Sequence, residues 1–183
     1  MDNKMFCFQC EQTAGCSACT GKAGVCGKSA DAANLQDELT GALIGLAKAT
    51  DNSPKVNGDT WRLMIEGLFA TVTNVNFNEK TLREIIGRVK KEKVRLMPGC
   101  SECAAVCGRV DDYDLKELWQ AQEDIRSLKS LLLFGVRGMA AYAYHASVLG
   151  YREETVDRFF YQALAMLGEE APMGDLLTMA LKV

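Results

Sequence analysis

The sequence has little proline, almost no histidine and no marked excess of either charge. Its 183 residues include 3 prolines and 1 histidine, and 21 basic against 24 acidic side chains give a formal net charge of −3. A mildly acidic chain without a basic block offers no electrostatic attraction for nucleic acid or a membrane surface. We find no Ser/His/Asp arrangement and no glycine-rich phosphate loop. These absences argue against a nucleic-acid-binding protein and a hydrolase.

Long hydrophobic stretches are also missing. No apolar run approaches the ~20 residues that a membrane span needs, and the first residues lack the apolar stretch of a signal peptide. From this we expect a soluble, cytoplasmic protein.

Cysteine is present in excess. The chain has 8 cysteines, and five of them lie in the first 26 residues: Cys7, Cys10, Cys16, Cys19 and Cys26. Many cysteines close together, in a sequence without an export signal, indicate metal binding or redox chemistry more than disulfide bonds. The segment around them is rich in glycine and shows no helix or strand period, so that metal ligation is the obvious source of its order.

The rest of the chain shows helical periodicity and no useful strand pattern, which predicts an all-α fold. We expect residues 1–30 to form a cluster-binding loop and residues 31–183 a helical bundle, in which residues 59–112 form an inserted sub-bundle. The expected helices begin at Asp31, at a cap on Asp59 and at a cap on Asn78, and a long one runs from about Leu115 to Leu149. The first should bury a stripe of Leu35, Leu39, Ala42, Leu43 and Leu46, and the second should end near Asn76 or Phe77. The basic face of the third, around Arg83, Arg88, Lys90, Lys91 and Lys93, is expected to be solvated. Gly135 and Gly138 inside the long helix suggest close packing against another helix. A further helix is expected over Glu153 to Leu167, after a C-cap at Gly150.

The leading cysteines have the spacing of a metal site. Cys7 and Cys10 form a CxxC pair, eight residues separate Cys10 from Cys19, and six separate Cys19 from Cys26. Such a set can hold an iron–sulfur cluster, since glycine-rich loops let distant thiolates fold back onto one core. Structural zinc and reduced or disulfide-forming thiols remain as alternatives, although zinc ribbons usually use two close pairs.

Several further motifs accompany the cysteines. They are Met5-Phe-Cys-Phe-Gln-Cys-Glu-Gln-Thr-Ala14, Cys19, Gly24-Val-Cys-Gly-Lys28 and Ala33-Asn-Leu-Gln-Asp37, followed by Gly67–Phe77 and the region from Arg126 to Gly150. Together they resemble the sequence of the hybrid cluster proteins, also called prismane proteins or hydroxylamine reductases. The resemblance implies that Cys7, Cys10, Cys19 and Cys26 hold one [4Fe–4S] cluster. It also implies a redox partner protein as electron donor.

The same resemblance implies a function for the intact protein. Members reduce hydroxylamine to ammonia, or nitric oxide under nitrosative stress, on a hybrid iron–sulfur–oxygen cluster carried by two further α/β domains. None of that region is present here, so we expect this chain to relay electrons and to be inactive alone. The missing domains, or a partner chain carrying them, are then expected partners. The apolar run from Asp175 to Val183 has no stop signal, which fits either truncation or a frayed natural terminus.

Three positions depart from the family pattern or stand apart from it. Cys16 is an extra thiol and the last gap is one residue longer, so Cys16 can compete with Cys19 for the third corner of the cluster. His145 is interpreted as a packing or hydrogen-bonding residue rather than the histidine ligand of the hybrid cluster. Tyr144 stands where the family often has an acidic residue.

A second cysteine group follows Pro98-Gly99. Cys100, Cys103 and Cys107 would share one face of a helix, and with Cys16 they would make a second set of four ligands. The alternative is small cysteines packed among Ala104, Ala105 and Val106.

Two classes of function therefore remain. The first is an electron-transfer domain, and the second is a non-enzymatic, metal-stabilised helical interaction module.

Overall fold

The computed structural model describes residues 5–10, 17–51, 53–72, 76–97 and 111–183. Within these ranges the chain forms seven α-helices and no strand, and its extended backbone is paired only at two isolated bridges. The helices are α1 (Ala30–Thr50), α2 (Gly58–Ala70), α3 (Glu79–Leu96), α4 (Leu115–Gln120), α5 (Glu123–Val148), α6 (Glu154–Leu167) and α7 (Met173–Ala180). The all-α class predicted from periodicity is confirmed.

Helix α1 is the centre of the bundle. The hydroxyl of Ser29 caps its first turn by accepting from the N–H of Ala32 at 3.1 Å. Its predicted stripe is buried, with Leu39, Leu43 and Leu46 entirely covered. α1 packs on α2, α3, α4 and α6, while α5 packs on α2, α6 and α7, and residues of all seven helices share one apolar core. The cysteine segment before α1 is thus attached to the most deeply buried element of the fold.

The ends of α2 differ from the prediction. The cap is Asn57 rather than Asp59, because the Asn57 side chain accepts from the N–H groups of Asp59 and Thr60 in a capping box. The helix ends at Ala70, not near Asn76 or Phe77. The hydroxyl of Thr71 donates to the Leu68 carbonyl at 2.7 Å and closes the last turn.

Helix α3 begins as predicted, with Asn78 as its cap. Its basic face, expected to be solvated, is exposed for the most part but is tied to its neighbours by ion pairs. Arg88 pairs with Glu66 of α2 at 2.6 Å, Lys90 with Glu38 of α1 at 2.7 Å, and Lys93 with Asp112 at 2.5 Å. Exposed pairs of this kind contribute about 0–1 kcal/mol each, so they orient α3 more than they stabilise it.

The long helix expected from Leu115 to Leu149 is wrong at its beginning. Ala121 is extended, with φ −63° and ψ 160°, so that the chain turns between α4 and α5. Nothing in the local sequence marks this break. The ring of Trp119 in α4 contacts Phe6 and Phe8 of the cysteine segment, with centroids 5.8 and 5.4 Å apart. We attribute the break to this tertiary contact.

The glycines of α5 differ in their surroundings. A methyl group added at Gly135 would overlap the side chain of Val183, which follows the end of α7, whereas one added at Gly138 meets no atom of the described residues within 4 Å. The expected packing against another helix is therefore not seen at Gly138 in the described part of the chain, and at Gly135 the close contact is with the segment after α7 rather than with a helix. Gly150 ends the helix as predicted, with φ +84°, a conformation that favours glycine.

In the described ranges, none of the helices combines the length and the apolar character needed to span a bilayer. The proposed inserted sub-bundle of residues 59–112 stays a prediction.

Candidate metal centre

Cys7 and Cys19 face each other across a short antiparallel backbone pair. The N–H of Cys7 donates to the Cys19 carbonyl at 3.0 Å, and the N–H of Cys19 donates to the Cys7 carbonyl at 2.9 Å. Residues directly opposite in such a pair project to one face, with Cβ atoms about 5 Å apart. Both cysteines are buried and form a small apolar cluster with Met5 and Ala33. The fold therefore brings together two residues that are twelve positions apart in the sequence, next to the first turn of α1.

Cys26 lies in a tight turn that returns the chain toward this cluster. The N–H of Gly24 donates to the Lys28 carbonyl at 2.8 Å, and the N–H of Gly27 donates to the Gly24 carbonyl at 2.9 Å. Gly27 has φ +84°, which a residue with a side chain rarely adopts. The sulfur of Cys26 and the methyl group of Met5 both lie against Gly24, within 3.5 and 3.2 Å of where a Cβ would stand. Cys26 and the cluster of Cys7 and Cys19 thus share Met5 as a neighbour.

Cys10 is half-buried, and none of the four described cysteines is in a disulfide. Among the described residues, no three Cys, His, Asp or Glu side chains lie close enough together to hold one metal ion. The structure thus pairs Cys7 with Cys19 and does not assemble the four-cysteine set. Cys16, Cys100, Cys103 and Cys107 lie outside the described residues, so the third-corner alternative and the second metal site stay predictions.

Lys28 is a buried cation beside Cys7. Only 1% of the residue is exposed. Its Nζ donates to Gln9 Oε1 at 2.9 Å and to Gln36 Oε1 at 2.6 Å, and it lies 3.9 Å from the sulfur of Cys7. Both oxygen acceptors are neutral amides. The sequence motif included this lysine but did not indicate its burial, since lysine is almost never fully buried.

Arg137 of α5 is a second buried cation. Its Nε donates to Thr71 Oγ1 at 3.0 Å and its Nη2 donates to Thr40 Oγ1 at 2.9 Å. Burial lowers the pKa of Arg137 to about 10, while the charges of Asp37 and Cys7 oppose that shift. Sequence reasoning missed Arg137. Periodicity places it in a helix among mostly apolar residues and gives no sign that its charge is buried.

Asp37 is a carboxylate whose charge interacts with both cations. It accepts from Gln9 Nε2 at 3.2 Å. Burial raises the pKa of Asp37 to about 6, although Arg137, Gln9 and Lys28 all act to lower it. At neutral pH, Lys28 and Arg137 therefore face one carboxylate, which leaves one positive charge for a thiolate at Cys7 to balance.

Asp37 makes the stability of the fold depend on pH. The pKa of Asp37 in the folded chain is above the ~3.9 of an unfolded aspartate, so folding favours the protonated carboxyl. Its contribution to the free energy of unfolding is therefore fully present below about pH 4 and is lost as the pH rises through about 6. Relative to Asp37→Asn, the wild-type chain should lose on the order of 2–3 kcal/mol across this window. Urea unfolding followed by circular dichroism at several pH values measures the difference. A flat difference from pH ~4 to ~7 contradicts the assignment.

Burial is the largest effect and raises the pKa of the Cys7 thiol, while the charge of Lys28 and a hydrogen bond from the Gln9 N–H offset part of that rise. Thiolates are the ligands that iron–sulfur clusters and zinc prefer. In donor chemistry the segment therefore fits a thiolate-bound metal centre, and the charge of Lys28 opposes the cost of burying a thiolate at Cys7. Cys7, Cys10, Cys19 and Cys26 are the described residues that could hold it.

His145 lies apart from this region, exposed in the last turn of α5. Its ring edge contacts Phe69, with centroids 5.6 Å apart, and it neighbours Tyr144. This agrees with the packing role expected for it.

The family model for the Prismane/CO dehydrogenase family matches residues 5–183. The chain belongs to this family. It is 35% identical to a hydroxylamine reductase of Methanococcus vannielii over 95% of this chain and 35% of the relative. It is 38% identical to a hydroxylamine reductase of Caldanaerobacter subterraneus over 98% of this chain and 36% of the relative, and 39% identical to that of Syntrophobacter fumaroxidans over 97% and 37%. This member of the family thus spans about a third of the length of the curated relatives it matches.

Proposed function

We propose that this chain is the iron–sulfur electron-transfer part of a hydroxylamine reductase, with one [4Fe–4S] cluster held by Cys7, Cys10, Cys19 and Cys26. The observation that carries the proposal is the buried pair of Cys7 and Cys19 beside the cation Lys28. Its setting in a family member whose curated relatives are named hydroxylamine reductase supports the assignment.

Each part of the segment has a role in this proposal. The bound cluster supplies one-electron transfer. Cys7 and Cys19 keep two ligand positions away from water, and the Gln9 N–H and the Lys28 ammonium contribute hydrogen bonds and charge that tune the potential. Cys10 and Cys26 are partly exposed and leave a path by which a redox partner protein delivers electrons.

The overall reaction is proposed from the relatives. Electrons would pass to a hybrid cluster in the part of the relatives that this chain does not match, on the same polypeptide or on a partner chain, where hydroxylamine is reduced to ammonia. Nitric oxide is a second proposed substrate, and the cytoplasm is the proposed location. The chain by itself is expected to bind its cluster without turning over hydroxylamine.

Anaerobic reconstitution with iron and sulfide tests the proposal. We expect about four irons and four sulfides per chain if only the first site is filled, with a broad visible band that bleaches on reduction. Cys7→Ser should remove most of this iron, because it deletes a buried ligand. Cys16→Ser is the matched control, and it should keep the cluster if Cys19 is the third ligand.

The alternatives give different results. A colourless protein with one zinc supports the interaction module, and a wild-type chain that stays free of metal after generous reconstitution contradicts any metal centre. If Cys16→Ser loses the cluster and Cys19→Ser keeps it, the third ligand is Cys16.

A further inference from the structure

The ammonium of Lys28 is held in one position by two side chains whose orientation is itself determined. Gln36 Nε2 donates to the Asn76 carbonyl at 2.8 Å, so its Oε1 must face Lys28. Gln9 Nε2 donates to Asp37, so its Oε1 also faces Lys28. The ring of Phe77 covers a third side, with its centroid 5.6 Å from Nζ. The charge is preorganised beside the Cys7 sulfur and does not depend on a flexible side chain finding it.

Packing alone does not explain why the fold buries the charged ammonium of Lys28. A buried charge is expensive unless it is paired, and the ammonium of Lys28 donates to two neutral amides and lies 3.9 Å from the Cys7 sulfur. Asp37 contributes an opposite charge nearby, but it is shared with Arg137. A methionine would fill the same space without a charge to desolvate. The position of the ammonium is explained if negative charge accumulates at Cys7.

We infer that Lys28 is a positioning residue whose fixed positive charge stabilises the reduced state of the centre bound at Cys7, and so raises its reduction potential. The inference rests on the proposed function. Adding an electron near a fixed cation in a water-poor site is more favourable than adding it near a neutral side chain. The charge also favours uptake of the anionic, thiolate-bound cluster over an empty site.

Reductive titration of the reconstituted chain, followed by EPR and visible absorbance, measures this effect. In Lys28→Met we expect at least a tenfold fall in the ratio of reduced to oxidised centre at a fixed ambient potential, which is about 59 mV for a one-electron couple. Lys28→Arg should stay within about threefold of wild type, because it keeps the charge. Lys22→Met is the matched control: the same change in the same loop at an exposed position, where water screens the lost charge.

Each outcome decides the inference. It is overturned if Lys28→Met takes up the cluster and titrates with the wild-type ratio. If Lys28→Met takes up no iron, rescue by Lys28→Arg supports the charge, and failure of Lys28→Arg to bind iron shows a purely steric role and overturns it. If the wild-type chain itself binds no cluster, the proposed function fails first and the inference falls with it.

Discussion

Gly41→Ala should destabilise the fold by about 2–3 kcal/mol, although alanine is the better helix former. A methyl group at this position would overlap the carbonyl oxygen of Tyr113 and lie 3.2 Å from its carbonyl carbon. The obstacle is backbone, and it is held there because the Tyr113 N–H donates to the Gly41 carbonyl at 3.1 Å. The segment before α4 would have to move away from α1.

Gly87→Ala is the matched comparison for Gly41→Ala. Gly87 is an exposed glycine inside α3, and a methyl group there meets no atom within 4 Å in the part of the chain that the structure describes. This change should stabilise the protein by roughly 0.5–1 kcal/mol, since alanine restricts the unfolded chain and favours helix. Urea unfolding of both variants measures the contrast. Equal effects of the same sign would show that the approach of Tyr113 to α1 is not close.

Arg137→Met should cost about 3 kcal/mol of stability at neutral pH. The substitution keeps much of the side-chain length, but it removes both hydrogen bonds to Thr40 and Thr71 and takes from Asp37 its principal opposing charge. The loss has two sources: Asp37 keeps Lys28 and Gln9 but loses the strongest charge that opposes its desolvation, and the buried hydroxyls of Thr40 and Thr71 lose the guanidinium donors.

The cost of Arg137→Met should also depend on pH. Because the pKa of Asp37 is about 6, the carboxyl is largely protonated near pH ~5, and the penalty for losing Arg137 should shrink there. Arg83→Met on the exposed face of α3 is the control, with an ion pair to Glu79 at 3.9 Å, and it should change stability by less than about 1 kcal/mol at either pH. A penalty for Arg137→Met that matches Arg83→Met would place the guanidinium in contact with water.

Much of the bundle follows from local patterns. The apolar stripe of α1, the Asn78 cap of α3 and the left-handed Gly150 after α5 were all predicted where they occur, because each depends on residues within one or two turns. The candidate ligands were proposed from their spacing and stay a prediction, whereas the family that their motif resembles is the one to which the chain belongs.

Other features depend on residues far apart in the chain. The turn at Ala121 accompanies the contact of Trp119 with Phe6 and Phe8, and the end of α2 accompanies the bond between Thr71 and Arg137. Neither partner is visible from the local sequence. The predicted single helix from Leu115 and the long α2 failed for this reason.

Patterns that extend over a few residues were enough to predict the helical class, most helix boundaries and the candidate cysteine ligands. These patterns are the apolar periodicity, the capping residues and the spacing of the cysteines. The burial of Lys28 and Arg137, their interaction with the charge of Asp37 and the pairing of Cys7 with Cys19 came only from the folded chain. The physical reason is that a charged side chain carries no local sign of burial. Its environment is set by which distant helices and loops close over it.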